Sequence, residues 1–91
     1  MDKHETQVQR AEEAQRLLTS QMFVKAFDDT RAGILAAWAD LPTSDTDNAR
    51  DLHRMLKCLD RVRRCLEIHV DTGKLAAKEL EGRKRLFGLR A

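Results

Sequence analysis

The sequence is short of what builds a β-rich or disulfide-stapled domain. It has no Tyr, one Trp and three Phe, so aromatics make up only 4% of 91 residues. That is too poor for the aromatic-rich core of a β-sandwich. One Pro and four Gly leave few breakers in the chain, and helix becomes the default. The two cysteines, Cys58 and Cys65, fit a reducing compartment. On one helix their spacing separates them by about 10.5 Å, beyond the roughly 7 Å Cα limit for a bridge. No run of 18 or more apolar residues is present, so no membrane span is expected. Residues 1–16 are polar and include Asp2, Glu5 and Glu12, unlike a signal or transit peptide, and a cytosolic setting is expected.

What is there is charge and aliphatic surface in balance. Hydrophobic residues are 42% and charged residues 35%, too apolar for a wholly disordered chain. At 10.4 kDa the chain is one domain. A compact fold of this mass exposes about 5,400 Å² against about 15,000 Å² unfolded, so about 64% is buried. That allows a small core but no large enclosed cavity. The net charge of +2 hides an asymmetry: residues 1–49 carry five basic and nine acidic side chains, and residues 50–91 carry twelve and six. The halves therefore stand at −4 and +6, and each attracts the other or the opposite half of a second copy.

The clearest breaker is Leu41-Pro42-Thr43-Ser44-Asp45. Pro42 lacks an N–H and disfavours helix at Leu41, so the preceding helix stops near Asp40. Ser44, Asp45 or Asp47 then caps the next one. These signals predict an all-α, antiparallel helical hairpin within a single domain, residues 1–91. The expected parts are a first arm over 2–40, a loop over 41–47, a second arm over 48–86 and a tail over 87–91. In the first arm Phe23, Phe27, Thr30, Ile34, Trp38 and Leu41 recur at steps of three and four, widened by Met22, Ala26, Leu35 and Ala37. In the second, Leu52, Met55, Leu59, Val62, Leu66, His69 and Gly73 do the same, continuing through Ala76 and Leu80 to Phe87. A repeat of 3.5 residues is the pattern of bundles and coiled coils.

Each arm has an expected joint. Ser20 is placed to cap a helix beginning at Gln21. Thr72-Gly73 interrupts the second arm, where Gly costs about 1 kcal/mol relative to Ala; a continuous or slightly bent helix is favoured, with Gly73 admitting a close neighbour. Upstream of Ser20 the apolar positions are Val8, Ala11, Ala14, Leu17 and Leu18, few enough that this segment is expected to order against a partner.

Constellations for chemistry are weak. Cys65 and His69 lie one helical turn apart, as two zinc ligands would, but no second Cys/His pair completes a site, and no metal is expected. Thr72-Gly73-Lys74 lacks the strand and first glycine of a phosphate loop. The adjacent pairs Glu12-Glu13 and Asp28-Asp29 diverge by about 100° on a helix, whereas acid–base catalysis needs convergent groups. The expectation is a non-enzymatic protein with no cofactor and no small-molecule substrate.

The basic elements are more informative. Arg50, Arg54, Lys57, Arg61 and Arg64 form a ridge opposite Leu52 on the second arm. It reads either as a solvated face, interleaved with Asp51, Asp60 and Glu67, or as a set of phosphate neutralisers. The tail joins Arg83-Lys84-Arg85 to Leu86, Phe87 and Leu89. This mixture reads as a docking peptide for another protein, or as a frayed end. Met22 and Phe23 add residual apolar surface, so Met22, Phe23, Arg83, Lys84, Arg85, Leu86 and Phe87 are the candidate partner-binding residues.

The layout of Arg10-Ala11, Leu17-Leu18, a helix ending near Trp38, a polar loop, and a long helix with Thr72-Gly73 and Ala76 resembles a group of small proteins encoded by tailed bacteriophages and prophages. The resemblance spans roughly residues 10–80. It implies a structural or assembly role against a larger virion protein, portal or capsid, with several copies of the chain, in the virion or host cytoplasm. The alternatives are a DNA-binding factor in packaging or regulation that uses the basic ridge, and an inhibitor directed at a host protein.

Overall fold

The computed structural model describes residues 2–90, with side chains to residue 88. Ala91 of the expected tail, and the side chains of Leu89 and Arg90, lie outside that description. The protein is an elongated, all-α arrangement of three helices: α1 (Lys3–Thr19), α2 (Gln21–Ala39) and α3 (Thr46–Arg90). At 1.5 Å per residue, the 45 residues of α3 extend about 68 Å and set the long axis of a body measuring 72 × 24 × 18 Å.

Capping decides where the helices begin. Asp2 caps α1, its side chain accepting from the His4 amide at 3.1 Å. Ser20 closes α1 and opens α2 in a single extended residue. Its amide donates to Leu17 O at 3.1 Å and its hydroxyl accepts from the Phe23 amide at 3.4 Å. After Asp40 the chain turns through Pro42, whose carbonyl accepts from the Asp45 amide at 2.9 Å. Asp45 then accepts from the Asn48 amide at 3.2 Å and caps α3. These side chains satisfy amides that the first helical turn leaves without partners.

Packing places α1 along the C-terminal half of α3 and α2 along its N-terminal half; the α1–α3 contact is the most extensive. Arg83 meets Asp2 at 3.0 Å and Arg31 meets Asp60 at 2.6 Å. α3 runs without a break through Gly73, and Gly73 is the point of closest approach. A methyl there would overlap the Ala11 Cβ and crowd the Gln7 carbonyl oxygen at 3.1 Å. The surface that α1 was expected to find on a partner is thus supplied by α3, and Ala14 and Ala76 are buried alongside. With Ile34 of α2, these residues complete the buried set among the described residues.

The α3 seam differs from the 3.5-residue pattern in one column. Leu52, Leu59, Leu66, Gly73 and Leu80 face inward or half inward, as do Leu56 and Val70. Met55 and Val62 are instead 53% and 52% exposed, and His69 and Phe87 are also exposed. Met55, Val62, His69 and Ala76 flank the Leu52–Leu59–Leu66–Gly73 row at i+3, and Leu56, Arg63, Val70 and Ala77 flank it at i+4. The first-arm helices half-cover Leu56 and Val70 on the i+4 side, whereas beyond Gly73 they bury Ala76 on the i+3 side and leave Ala77 exposed. In α2, likewise, Phe23 and Phe27 are half-buried, as is Leu41 just beyond it, whereas Thr30 and Trp38 are exposed. The Thr30 hydroxyl donates back to Ala26 O at 2.7 Å.

The elongated shape leaves a large surface. The radius of gyration is 20.1 Å, where a compact chain of this length has about 12 Å. The accessible surface is 7370 Å², about 2,000 Å² above the compact expectation.

Candidate functional site

Exposed apolar side chains occur along the whole rod, Met22, Met55, Val62, Ile68 and Leu75 among them, and both ends of α3 carry a group of them. At the loop end, Ile34, Leu35 and Trp38 of α2 face Leu52, His53 and Leu56 of α3 across an open groove of about 280 Å³. The groove follows from the pattern of α2: Leu35 and Trp38 lie to one side of the buried Ile34, and the N-terminal turns of α3 cover only part of them. Trp38 remains 58% exposed. His53 is the single titratable side chain among the lining residues. Such a surface is suited to receiving apolar side chains.

The opposite end has another cause. α1 begins at Lys3, level with the Asp2–Arg83 pair, so the last turns of α3 continue without a helix beside them. Leu86 and Phe87 are 59% and 69% exposed there. Arg85 pairs with Glu81 at 3.1 Å one turn back. Asp2 is held below the ordinary aspartate range, first by the hydrogen bond from the His4 amide and then by the neighbouring Arg83 charge. Its carboxylate therefore serves two elements at once, capping α1 and holding the end of α3.

The residues expected to bind a partner do not form one patch. Arg83, Lys84, Arg85, Leu86 and Phe87 share the tail end. Met22 and Phe23 open α2, beyond the length of α1, about 25 Å along the axis. Met22 is exposed, whereas Phe23 is half-buried and packs on Phe27 with ring centroids 4.9 Å apart. Trp38, Leu35 and His53 were not singled out as binding residues in the sequence. Their signal was the width of the α2 stripe, in which Leu35 lies about 100° from Ile34, too far round to share one buried face.

The basic ridge is on the surface throughout: Arg50, Arg54, Lys57, Arg61 and Arg64 are all exposed. Lys57, Arg61 and Arg64 line one shallow depression with Cys58 and Asp60. Arg54 meets Asp51 at 3.6 Å and Arg64 meets Glu67 at 3.9 Å, so acids partly neutralise the ridge. Cys58 and Cys65 are exposed free thiols. Among the described residues, no three or more His, Cys, Asp or Glu side chains cluster as a metal site, and no helix is long and apolar enough to cross a membrane. Comparison of the chain with protein-family models, with curated proteins and with solved structures returned no match.

Proposed function

We propose that this chain is a non-enzymatic assembly protein of a tailed bacteriophage, packing as a two-arm antiparallel helical hairpin, in several copies, against a larger virion protein, portal or capsid. The observation that carries the reading is the 7370 Å² of accessible surface, about 2,000 Å² beyond a compact chain of this mass. Obligate interfaces bury on the order of 2,000–5,000 Å² in total, which is the scale of the uncovered surface. The hairpin is supported by contacts that join early residues to late ones, Asp2 to Arg83 and Ala11 to Gly73. The virion setting is supported by the resemblance of residues 10–80 to small phage-encoded proteins.

In this reading the helices build a stiff rod, and Met22, Phe23, Leu86 and Phe87 meet the partner, flanked by Arg83, Lys84 and Arg85. Burying one Phe or Leu contributes about 1.5–3 kcal/mol, so two or three such anchors outweigh several exposed ion pairs. Mass spectrometry of purified virions and of assembly intermediates tests it. The protein is expected in one or both, and absence from both refutes the reading.

A second reading is a DNA-binding factor in packaging or regulation, favoured by the exposure of Arg50, Arg54, Lys57, Arg61 and Arg64 on one flank. It requires affinity for DNA that falls steeply with salt. Unchanged DNA retardation after charge reversal at all five positions removes it.

A further inference from the structure

We propose that the uncovered side of α3 pairs with the same side of a second copy, the two helices running antiparallel about a two-fold axis level with Leu66 and Glu67. This surface is distinct from the two ends of the rod, and the proposal does not rest on a virion setting.

The first-arm helices take the side of α3 that carries Leu52, Leu59, Leu66 and Gly73. Away from it Cys58, Cys65, Ile68 and Leu75 are all exposed, Leu75 at 65%. At about 100° per residue they fall within an arc of about 100° on one unbroken helix. Steps of seven, three and seven separate them, the spacing of an a/d seam. The seam is the same from either end, because Cys58 mirrors Leu75 and Cys65 mirrors Ile68 about the point between Leu66 and Glu67. A face that meets its own copy across a two-fold axis has to complement itself when reversed, and this one does.

Charge follows the same mirror with its sign inverted. Within the arc, the half before Leu66 holds Arg54, Lys57 and Arg61 and no acid, and the half after Glu67 holds Glu79 and no base. Lys74 and Lys78 point outside the arc at the helical period. The reversal that sets Cys65 on Ile68 of the second copy also sets Arg54 on its Glu79, twice over. At one margin it brings Arg64 beside Asp71. A parallel pair would instead lay Arg54 on Arg54 and Arg61 on Arg61. Arg54 and Arg64 do have acids within the chain, Asp51 at 3.6 Å and Glu67 at 3.9 Å. Those pairs are well exposed, and pairs of that kind are weak enough to exchange. Opposite charges arranged in this way fix orientation as well as partner. The apolar centre, flanked by ion pairs, then closes at two chains.

The two native cysteines are a ruler for this arrangement. In the antiparallel pair, Cys65 of one chain is offset from Cys65 of the other by about 5 Å along the axis, and the two Cys58 residues by about 26 Å. Sedimentation velocity of the purified full chain over a dilution series is expected to show a monomer–dimer equilibrium. A short bismaleimide is expected to cross-link the C58S variant, through Cys65, and to leave the C65S variant uncross-linked. Leu75→Ala is expected to weaken the dimer at least about 10-fold, with helicity unchanged because Leu75 is exposed. Arg54→Glu and Glu79→Arg are each expected to weaken it by about 5- to 30-fold, since each change strikes two contacts. Mixing R54E chains with E79R chains restores both contacts and the affinity. A chain that stays monomeric at all concentrations overturns the proposal. So does a dimer that cross-links equally at both cysteines, one that ignores L75A, or one that the R54E and E79R mixture fails to restore.

Discussion

Gly73→Ala tests the packing on which the fold depends, because its sign is opposite to that of the same change elsewhere. Gly in a helix interior costs about 1 kcal/mol relative to Ala, so a Gly→Ala change in open space stabilises. Gly33 and Gly82 are in helices, and a Cβ at either meets nothing within 4 Å. G33A and G82A are each expected to gain about 0.5–1 kcal/mol, raising Tm by roughly 2–8 °C. At Gly73 the same methyl overlaps the Ala11 Cβ and crowds the Gln7 carbonyl oxygen. Neither neighbour is the end of a flexible side chain, so α1 and α3 must move apart. Overpacking of this kind costs about 1–3 kcal/mol, and here the upper part of that range applies. After subtracting the propensity gain, G73A is expected to lose about 1–2 kcal/mol, a fall in Tm of roughly 4–16 °C. Thermal unfolding followed by circular dichroism at one fixed protein concentration reads all three variants, since association shifts Tm. Ala11→Gly in the G73A background removes the overlapping methyl and recovers about 1 kcal/mol or more as coupling. If G73A stabilises the chain as G33A and G82A do, the close approach of α1 to α3 is refuted.

Ile34→Ala deletes the one large side chain that is buried among the described residues, and denaturant unfolding is expected to show a loss of about 2–4 kcal/mol. Ser20→Ala removes the cap between α1 and α2 and is expected to lower stability by about 1 kcal/mol in the same assay. Arg31→Ala breaks the Asp60 pair, yet both side chains are about half exposed, so the expected cost is under about 1 kcal/mol. Asp2 is depressed by the His4 amide and by Arg83. Its stabilising contribution is therefore complete above the ordinary aspartate value and is lost as pH falls through its folded value. Hydrogen exchange at the His4 amide is expected to speed up over that acidic window. Asp2→Asn keeps the cap and abolishes that acid dependence.

The helices were legible because their signals are local. Pro42, Ser20 and the three-and-four spacing of Phe23, Phe27 and Ile34 each act within a turn or two. The side of α3 that is covered was not local. Leu52, Leu59 and Leu66 share their face with neighbours at i+3 and at i+4, and nothing within α3 states that Leu56 and Val70 are covered on one side and Ala76 on the other. The three-and-four spacing points Met55 and Val62 inward for that reason, whereas in the fold Leu56 and Val70 are the half-buried ones. The ordering of α1 is not legible in its own residues for a related reason. Ala11 and Ala14 bury little area each, and their value appears only when Gly73 lets the backbones approach. The Trp38 groove depends on where two helices part, a property of the pair. The exposed tail was legible, since Leu86 and Phe87 follow three consecutive cations.

Alone, the chain is expected to stay extended and to leave apolar surface for another protein. Small-angle X-ray scattering, extrapolated to infinite dilution where forward scattering gives the mass of one chain, measures this extension. The expected radius of gyration is close to 20.1 Å. A value near the roughly 12 Å of a compact chain would mean that the helices fold onto one another and bury Trp38 and Phe87 themselves, and it would refute the extended form.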